Sequence, residues 1–252
     1  MDLRDKVVAI TGAARGLGQE FACGLAAAGA RIVAGDINEC ADTLDRVKKT
    51  GADAVGVRLD VTDPGSARAM VEAGMEAFGR IDALVNNAAL YGALHGGRFD
   101  AIDDNEWDAA MAVNVKGIWN CCKAAVPAMR RVGGGSIVNI ASLAATYGMP
   151  YGLHYTTSKA AVIGLTRGLA RELGRDDIRV NALAPSAVLT EGTAEFFGAK
   201  LDRALDTIKS AQTIQRNLMP ADLVGTVMWL VSDASLFVTG QTIAVDGGTV
   251  ML

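Results

Sequence analysis

The sequence predicts an α/β fold in which one doubly wound parallel sheet of about seven strands carries helices on both faces. Short apolar runs rich in β-branched residues alternate along the chain with longer Ala- and Leu-rich stretches of helical periodicity. Most of the short runs are apolar on both faces, which is typical of strands covered by helices on each side. No Pro/Ser-rich linker or repeat interrupts this alternation, so residues 1–252 are predicted to form a single domain.

The strands and helices are assigned from these runs in chain order. The predicted strands are Val7–Ile10, Arg31–Gly35, Ala54–Leu59, Ala83–Val85, Ser136–Ile140, Arg179–Leu183 and Thr242–Val245. The predicted helices lie near Leu17–Ala28, Gly65–Phe78, Asn105–Arg130, Tyr155–Leu173 and Ala221–Ser232. Residues 191–219 break the alternation, and we expect a small helical insertion there that forms a lid over the substrate.

The composition argues against several classes of function. With 24 Lys and Arg against 28 Asp and Glu, the net charge of −4 provides no basic field for nucleic acid. The 4 cysteines form no C-x-x-C pair and no Cys/His cluster with metal-ligand spacing, so no metal site is predicted. Gly, Asp or Arg interrupts every apolar run well short of the roughly 20 residues that cross a membrane, and no leader precedes the first strand. We therefore expect a soluble, cytoplasmic protein without a nucleic-acid or membrane partner.

A glycine-rich turn, TGAARGLG, follows the first strand and leads directly into a helix. At such a turn Gly12 allows a tight reversal, Gly16 lets the backbone approach a diphosphate, and Gly18 lets helix and strand touch. The phosphates would then bind the exposed N–H groups at the helix start, beside Arg15 and Leu17. The order of strand, turn and helix predicts a dinucleotide-binding site.

The end of the second strand indicates which dinucleotide is bound. Asp36 follows the glycines by about 20 residues, where a carboxylate accepts hydrogen bonds from the adenosine ribose and repels a 2′-phosphate. Arg15 argues the other way, because a basic residue in the glycine turn could pair with a 2′-phosphate. A fixed negative charge at the ribose outweighs a flexible arginine, so NAD is favoured over NADP.

Two further strand ends carry candidate cofactor contacts. Asp60 and Val61 follow the third strand, in position to hold the adenine edge. Asn87 and Ala88 follow the fourth, where small residues allow the backbone to pass close to a cofactor.

A tyrosine and a lysine open the long helix after the fifth strand. Tyr155 and Lys159 are four positions apart, which places their side chains one turn apart on the same helix face. A free tyrosine has a pKa near 10, and we expect the nearby ammonium to lower that pKa by favouring the phenolate. Tyr155 could then exchange a proton with a substrate hydroxyl.

Two more polar residues complete the pattern. Ser142 lies thirteen positions before Tyr155, and Asn114 lies in the preceding long helix. Together with the glycine turn, Asp60 and the NNAA run after the fourth strand, these residues resemble the short-chain dehydrogenase/reductase family. The resemblance covers essentially the whole chain, in the family's order and spacing. It implies a Rossmann-type sheet and an oxidoreductase that acts on a CH–OH group.

The resemblance also implies a role for each catalytic candidate. Tyr155 would be the general acid/base, and Lys159 would tune it while holding the nicotinamide ribose. Ser142 would hydrogen-bond the substrate oxygen, and Asn114 would steady a water-linked proton path from Lys159 toward solvent. Relatives pack into tetramers, so the resemblance implies a homotetramer.

The loop after the sixth strand would contact the nicotinamide. By the same resemblance Pro185, Val188 and Thr190 line this end of the cofactor, with Thr190 and the Val188 backbone touching the carboxamide. The chain departs from the family pattern at Ala89 and Ser186, where relatives usually have glycine. Neither departure removes a catalytic group, but both bear on substrate fit.

The expected substrate pocket is mostly apolar. Its candidate walls, by position relative to Ser142 and Tyr155, are Tyr91, Leu94, Leu143, Ala144, Met149, Leu153, Phe196 and Phe197. These walls fit a small apolar alcohol or ketone. The run HYTTSK, the APS loop and the AVDGG ending resemble bacterial NAD-dependent dehydrogenases for aromatic and cyclic secondary alcohols.

Two alternatives remain open. A 3-oxoacyl-[acyl-carrier-protein] reductase would share the catalytic residues but would prefer NADPH, and Asp36 counts against that preference. A non-catalytic dinucleotide-binding regulator would be expected to lack at least one of Ser142, Tyr155 and Lys159, and all three are present.

Overall fold

A computed structural model describes residues 1–251 as one α/β domain; Leu252, the last residue of the predicted domain, lies outside the described residues. Seven strands form a single sheet, and every neighbouring pair is parallel. Their order across the sheet is β3-β2-β1-β4-β5-β6-β7. The strands are β1 (Val7–Thr11), β2 (Arg31–Asp36), β3 (Ala54–Arg58), β4 (Ala83–Asn86), β5 (Gly135–Ile140), β6 (Ile178–Pro185) and β7 (Thr242–Val245).

Within residues 1–251, ten α-helices connect and cover these strands. They are α1 (Gly16–Ala27), α2 (Ala41–Lys48), α3 (Pro64–Phe78), α4 (Asp104–Met111), α5 (Gly117–Arg131), α6 (Ala144–Tyr147), α7 (Leu153–Leu173), α8 (Glu191–Phe197), α9 (Leu201–Ala211) and α10 (Pro220–Val231). A π-helical turn over Ala112–Lys116 joins α4 to α5. Within residues 1–251 no helix combines the length and the apolar character needed to cross a membrane.

The sheet separates two apolar cores. Alternate residues of β1 face opposite sides, so Val7 and Ala9 belong to one core and Val8 and Ile10 to the other. The first core lies against α3, α5 and α7, and the second against α1 and α10. This double coverage explains why the strands read as apolar on both faces.

The predicted fold class is confirmed, and each predicted strand overlaps an observed one. The long helix predicted over Asn105–Arg130 is interrupted at its centre by the π-helical turn. Two short helices, α2 and α6, have no counterpart among the predicted helices. Helix α2 has 8 residues and carries few large apolar side chains, Leu44 and Val47 among them, so its apolar pattern is too short to indicate a helix clearly.

The strand order reverses between β1 and β4, which opens a crevice at the carboxyl ends of the strands. Thr11, the last residue of β1, holds the two sides of this point together. Its hydroxyl oxygen accepts hydrogen bonds from the backbone N–H groups of Asn87 (3.0 Å) and Ala88 (2.9 Å). The end of β1 is therefore tied to the loop that follows β4.

Helix α1 lies unusually close to β1. A Cβ atom on Gly18 would overlap the carbonyl oxygen of Gly12 and the side-chain amide of Asn87. This contact supports the packing role predicted for the third glycine of the turn. Only a residue without a side chain lets the start of α1 approach the end of β1 this closely.

We expect Gly18→Ala to lower the free energy of unfolding by about 1–3 kcal/mol, because the added methyl group must push α1 away from β1. Thermal and urea unfolding monitored by circular dichroism would measure the change. Gly225→Ala in α10 is the matched control: a Cβ there meets no atom within 4 Å, and the substitution should raise stability slightly. A Gly18→Ala variant as stable as the wild type would contradict the close packing.

Candidate active site

A cavity of about 790 Å³ occupies the crevice at the carboxyl ends of the strands. Residues from the ends of β1, β2, β4, β5 and β6 line it, together with parts of α7, α8 and α9. Such a volume lies at the upper end of the range usual for small-molecule sites. It has room for both a cofactor and a substrate.

The glycine turn forms one end of the cavity. Gly12 (φ +67°) and Gly16 (φ +58°) adopt left-handed backbone conformations, and both line the cavity with Arg15 and Leu17. In the described part of the chain no side chain caps the N-terminus of α1. The N–H groups of the first helical turn therefore need acceptors from elsewhere, which suits the oxygens of a diphosphate.

Two of the predicted cofactor residues, Asn87 and Ala88, line the cavity and also shape the glycine turn. The Asn87 amide donates to the carbonyl oxygens of Thr11 (3.1 Å) and Gly12 (2.9 Å). A Cβ atom on Gly12 would lie 2.8 Å from the Cα of Ala88, so the two backbones pass at close range. Gly18, which packs against β1, does not line the cavity.

Asp36 presents a fixed carboxylate at the end of β2. It is 9% exposed and lines the cavity. One oxygen accepts a hydrogen bond from the N–H of Ala14 (3.0 Å) and the other from the N–H of Asn38 (2.9 Å). The Asn38 side-chain amide also donates to that second oxygen (3.4 Å), so these bonds hold the side chain in place, and the oxygen bonded to Ala14 keeps a further lone pair for a ribose hydroxyl.

Asp60 and Val61 follow β3 and line the cavity. The Asp60 carboxylate accepts hydrogen bonds from the backbone N–H (2.9 Å) and hydroxyl (2.7 Å) of Thr62, which lower its pKa. Asp60 is therefore a second preorganised acceptor on this side of the cavity.

Ser142, Tyr155 and Lys159 meet at the other side of the cavity. Tyr155 and Lys159 lie one turn apart on α7, as predicted. The Lys159 Nζ donates to the carbonyl oxygen of Ile140 (2.7 Å), the last residue of β5. That bond holds the ammonium beside the tyrosine, with Nζ 5.7 Å from the centre of the Tyr155 ring.

Burial dominates the protonation of this pair. It raises the pKa of Tyr155 to about 12, against a smaller opposing effect of the Ser142 hydroxyl, and lowers the pKa of Lys159 to about 8. The expectation that Lys159 lowers the pKa of Tyr155 is therefore wrong for the protein alone. Removal from water disfavours the charged form of both groups.

Asn114 occupies the π-helical turn and is fully buried. Its amide nitrogen donates to the Leu90 carbonyl oxygen (3.1 Å) and the Ser158 hydroxyl (3.0 Å), and its amide oxygen accepts from the Leu90 N–H (2.7 Å). Asn114 does not line the cavity but joins the loop after β4 to the residue before Lys159. The irregular turn aims this side chain across the gap between two elements.

The loop after β6 closes the cavity from above. Pro185, Val188 and Thr190 all line it, as predicted. The Thr190 hydroxyl caps α8 by accepting from the Thr193 N–H (3.3 Å), and the Val188 carbonyl accepts from the Thr193 hydroxyl (2.6 Å). Ser186 also lines the cavity, and its buried hydroxyl has no partner among the described residues.

An aromatic stack forms the wall next to Tyr155. The Tyr91 ring lies 4.8 Å from the Tyr155 ring and stacks on Phe196 at 4.7 Å, centre to centre. Phe197 meets Phe196 edge-on at 5.2 Å and lines the cavity. The wall is continuous from α7 to α8.

The predicted walls are correct in part. Tyr91, Leu143, Ala144, Met149 and Phe197 line the cavity. Leu94, Leu153 and Phe196 do not, since Leu94 is buried elsewhere, Leu153 is 41% exposed, and Phe196 lies behind Tyr91.

Another part of the lining is not predicted from the sequence, namely Tyr147, Thr207, Ile208, Ala211, Thr249 and Val250. Residues 207–211 belong to α9, whose amphipathic pattern could have indicated a face turned toward the cavity. Thr249 and Val250 follow β7, and their sequence carries no comparable signal.

Known proteins resemble this chain along nearly its whole length. A family model described as enoyl-(acyl carrier protein) reductase matches residues 12–250. The 3-oxoacyl-[acyl-carrier-protein] reductase of Thermotoga maritima is 38% identical over 255 residues, covering 100% of both chains.

No group of three or more His, Cys, Asp or Glu side chains within residues 1–251 is placed to hold a metal ion.

Solved structures of dehydrogenases share the fold of this chain along nearly its whole length. A short-chain type dehydrogenase/reductase from Mycobacterium ulcerans has a TM-score of 0.92 at 30% identity, covering 99% of this chain and 91% of that one. Carveol dehydrogenase from Mycobacterium avium, solved in complex with NAD, has a TM-score of 0.91 at 33% identity and covers 98% of both chains.

The buried lysine makes a testable contribution to stability. Lys159 titrates near 10.5 in the unfolded chain and at about 8 in the folded protein, so between these values the unfolded chain binds more protons. The free energy of unfolding that depends on Lys159 must therefore rise with pH across this window. Below it, the buried charge destabilises the protein.

We expect the free energy of unfolding of the wild type, minus that of Lys159→Met, to rise between pH 8 and pH 10. The rise should be about 1.4 kcal/mol for each pH unit in which the unfolded wild type binds one more proton than the folded wild type. Urea unfolding at a series of pH values would measure the difference, and Tyr155, present in both proteins, cancels. Lys48→Met removes an exposed ammonium on α2 and should give a flat difference. A flat profile for Lys159→Met would contradict the burial of its charge.

Proposed function

The chain belongs to the short-chain dehydrogenase/reductase family of oxidoreductases, and we propose that it uses NAD to interconvert an apolar aromatic or cyclic secondary alcohol and its ketone. One observation carries the proposal: Ser142, Tyr155 and Lys159 converge on a cavity that also holds an uncapped helix start. The substrate side of that cavity is lined mainly by apolar and aromatic side chains.

The cofactor would lie between the glycine turn and the loop after β6. The start of α1 would bind the diphosphate, Asp36 the adenosine ribose, and Asp60 and Val61 the adenine edge. Lys159 would bind the nicotinamide ribose. Pro185, with Val188 and Thr190, would contact the carboxamide end. When bound, the oxidised dinucleotide supplies a hydride-accepting carbon and a positive charge.

NAD is favoured over NADP on electrostatic grounds. The Asp36 carboxylate is held by two backbone N–H groups, so it stays at the end of β2 where a 2′-phosphate would meet it. The negative Asp36 carboxylate and the negative 2′-phosphate would repel each other at this position. The presence of NAD in the carveol dehydrogenase structure supports this preference.

Tyr155 would move the proton. Its phenol, with a pKa of about 12, holds its proton at neutral pH and can give it to an alkoxide oxygen that forms when a ketone is reduced. In the opposite direction it must accept the proton of the alcohol, which requires positive charge nearby. Lys159 is fixed beside it for this purpose, and the Ser142 hydroxyl would hydrogen-bond the substrate oxygen. Asn114 would steady the path by which protons reach Lys159.

The walls define the substrate class. The cavity wall includes the ring of Tyr91, which packs against Tyr155, the ring of Phe197, and the side chains of Leu143 and Met149. Among the described residues, Arg15 and Lys159 are the only cationic side chains that line the cavity, and both lie where the cofactor would bind. A phosphate or coenzyme A tail therefore has no dedicated partner there.

Residues 191–219, which include α8 and α9, would act as the substrate lid. A homotetramer stays a prediction from the resemblance.

A second candidate has support of its own. The Thermotoga maritima relative is named as a 3-oxoacyl-[acyl-carrier-protein] reductase and matches along its whole length, and the matching family model is described for acyl carrier protein chemistry. That function would use the same Ser142, Tyr155 and Lys159. It would also favour NADPH, against which Asp36 argues. A non-catalytic regulator would not require these three side chains to converge on one cavity.

A substrate panel separates the two enzymes. We expect NADH formation with secondary alcohols such as 1-phenylethanol and cyclohexanol, because their apolar bodies match the walls. The value of kcat/KM for the matching ketones with NADH should exceed that for acetoacetyl thioesters of acyl carrier protein or N-acetylcysteamine. Initial rates at 340 nm measure both. Faster thioester reduction, with NADPH preferred, would replace the proposed function by the second candidate.

Tyr155→Phe tests the proton-transfer role. Loss of the hydroxyl should lower kcat by about 100- to 10,000-fold, because the substrate oxygen loses its acid/base partner. Binding of NADH, followed by the quenching of protein fluorescence, should stay unchanged. Tyr151→Phe removes the hydroxyl of a tyrosine that is 69% exposed and should retain full activity. A Tyr155→Phe enzyme that keeps a large fraction of kcat would exclude this assignment.

A further inference from the structure

Arg15, the one basic residue of the glycine turn, is already bound to another part of the chain. Its guanidinium forms two parallel hydrogen bonds to Glu195 of α8, Nη1 to Oε1 at 2.5 Å and Nη2 to Oε2 at 2.9 Å. The two residues are 180 positions apart in the sequence. This bidentate geometry is the strongest arrangement available to an arginine and a carboxylate.

Two other carboxylates lie at the same corner. Asp36 accepts a hydrogen bond from Ala14, the residue before Arg15. Glu191 lies against the glycine turn, with one carboxylate oxygen 3.7 Å from the position of a Cβ on Gly16. The hydrogen bond of Glu195, followed by the charges of Glu195, Glu191 and Asp36, raises the pKa of Arg15. Three negative groups thus surround one positive group.

Glu195 is held in this position from two sides. Gly92, in the loop after β4, leaves room for it, because a Cβ there would overlap the Glu195 carboxylate. The next residue, Phe196, stacks on Tyr91 of the same loop. The carboxylate therefore reaches Arg15 from a helix that is packed in place.

We propose that Glu195 is a positioning residue for cofactor selection: it neutralises Arg15 and turns it toward α8, so that the Arg15 guanidinium is not available to a 2′-phosphate. The inference rests on the dinucleotide site of the proposed function. It adds a second determinant of the preference for NAD over NADP. This determinant lies on α8, far along the chain from the Asp36 carboxylate at the end of β2. Selection against NADP then has two parts, the repulsion from Asp36 and the withdrawal of Arg15.

The expected effect is moderate. The side chains of Arg15 and Glu195 are 58% and 44% exposed, so water and salt screen their charges. Releasing one cation near a doubly charged phosphate should change the relative affinity by about 3- to 10-fold. NADH carries its diphosphate charge as well, but it lacks the 2′-phosphate and should gain less.

The test is a titration of the full chain with NADH and NADPH, monitored by cofactor fluorescence. In Glu195→Gln, which keeps the shape and removes the charge, the ratio Kd(NADPH)/Kd(NADH) should fall about 3- to 10-fold at low salt, and less in 0.5 M NaCl. Glu195→Asp should stay closer to the wild type. Asp176→Asn is the matched control, since it breaks the Arg130–Asp176 pair, and Asp176 lies just before β6, at the amino end of the strand and away from the cavity.

The double variant shows whether Glu195 acts through Arg15. In an Arg15→Gln background, Glu195→Gln should leave the ratio unchanged. The proposal is overturned if Glu195→Gln alone leaves the ratio Kd(NADPH)/Kd(NADH) unchanged. It is also overturned if the ratio falls equally in Asp176→Asn, or equally when Glu195→Gln is made in the Arg15→Gln background. In each of these cases, NADH binding by the wild type would leave the proposed function intact. A wild-type protein that binds neither dinucleotide would overturn the proposed function and this inference together.

Discussion

The burial of Lys159 beside Tyr155 is the constraint on which the site depends. An ammonium taken out of water without a carboxylate partner is costly, and here a single carbonyl, that of Ile140, accepts its hydrogen bond. Burial pushes the pKa values of the lysine and the tyrosine toward each other, to about 8 and about 12. Both groups are therefore poised to change protonation when a charged molecule enters the cavity, which an exposed pair would not be.

The sheet explains how such a pair can be held. All seven strands are parallel, so their carboxyl ends lie along one edge, where each strand delivers one part of the site. Thr11 binds the loop after β4, and Asp36 supplies a fixed negative charge. The Ile140 carbonyl oxygen accepts the hydrogen bond of the lysine, and the loop after Pro185 lines the cavity. The two buried cores beneath hold these ends in register, because the strands are packed on both faces.

The sequence predicted the parts of the molecule that local pattern controls. Apolar strands, the glycine turn and the four-residue spacing of Tyr155 and Lys159 depend on neighbours in the chain, and all were recognised. The sign of the Tyr155 pKa shift was wrong, because spacing reveals that a lysine is near but not that both groups are buried. Missing walls such as Ile208 and Val250 come from elements that are distant in sequence from Tyr155. Their side-chain directions depend on tertiary packing, which periodicity does not describe.

Helix α8 joins the two halves of the cavity through adjacent residues. Glu195 binds Arg15 at the cofactor end, while Phe196 stacks on Tyr91, which in turn packs against Tyr155. A change in the position of this short helix must therefore move groups at both ends. The sheet and the catalytic side chains can stay constant while one segment alters substrate fit and cofactor contacts. This separation gives a physical reason why proteins of one family, with the same catalytic groups, can differ in what they bind.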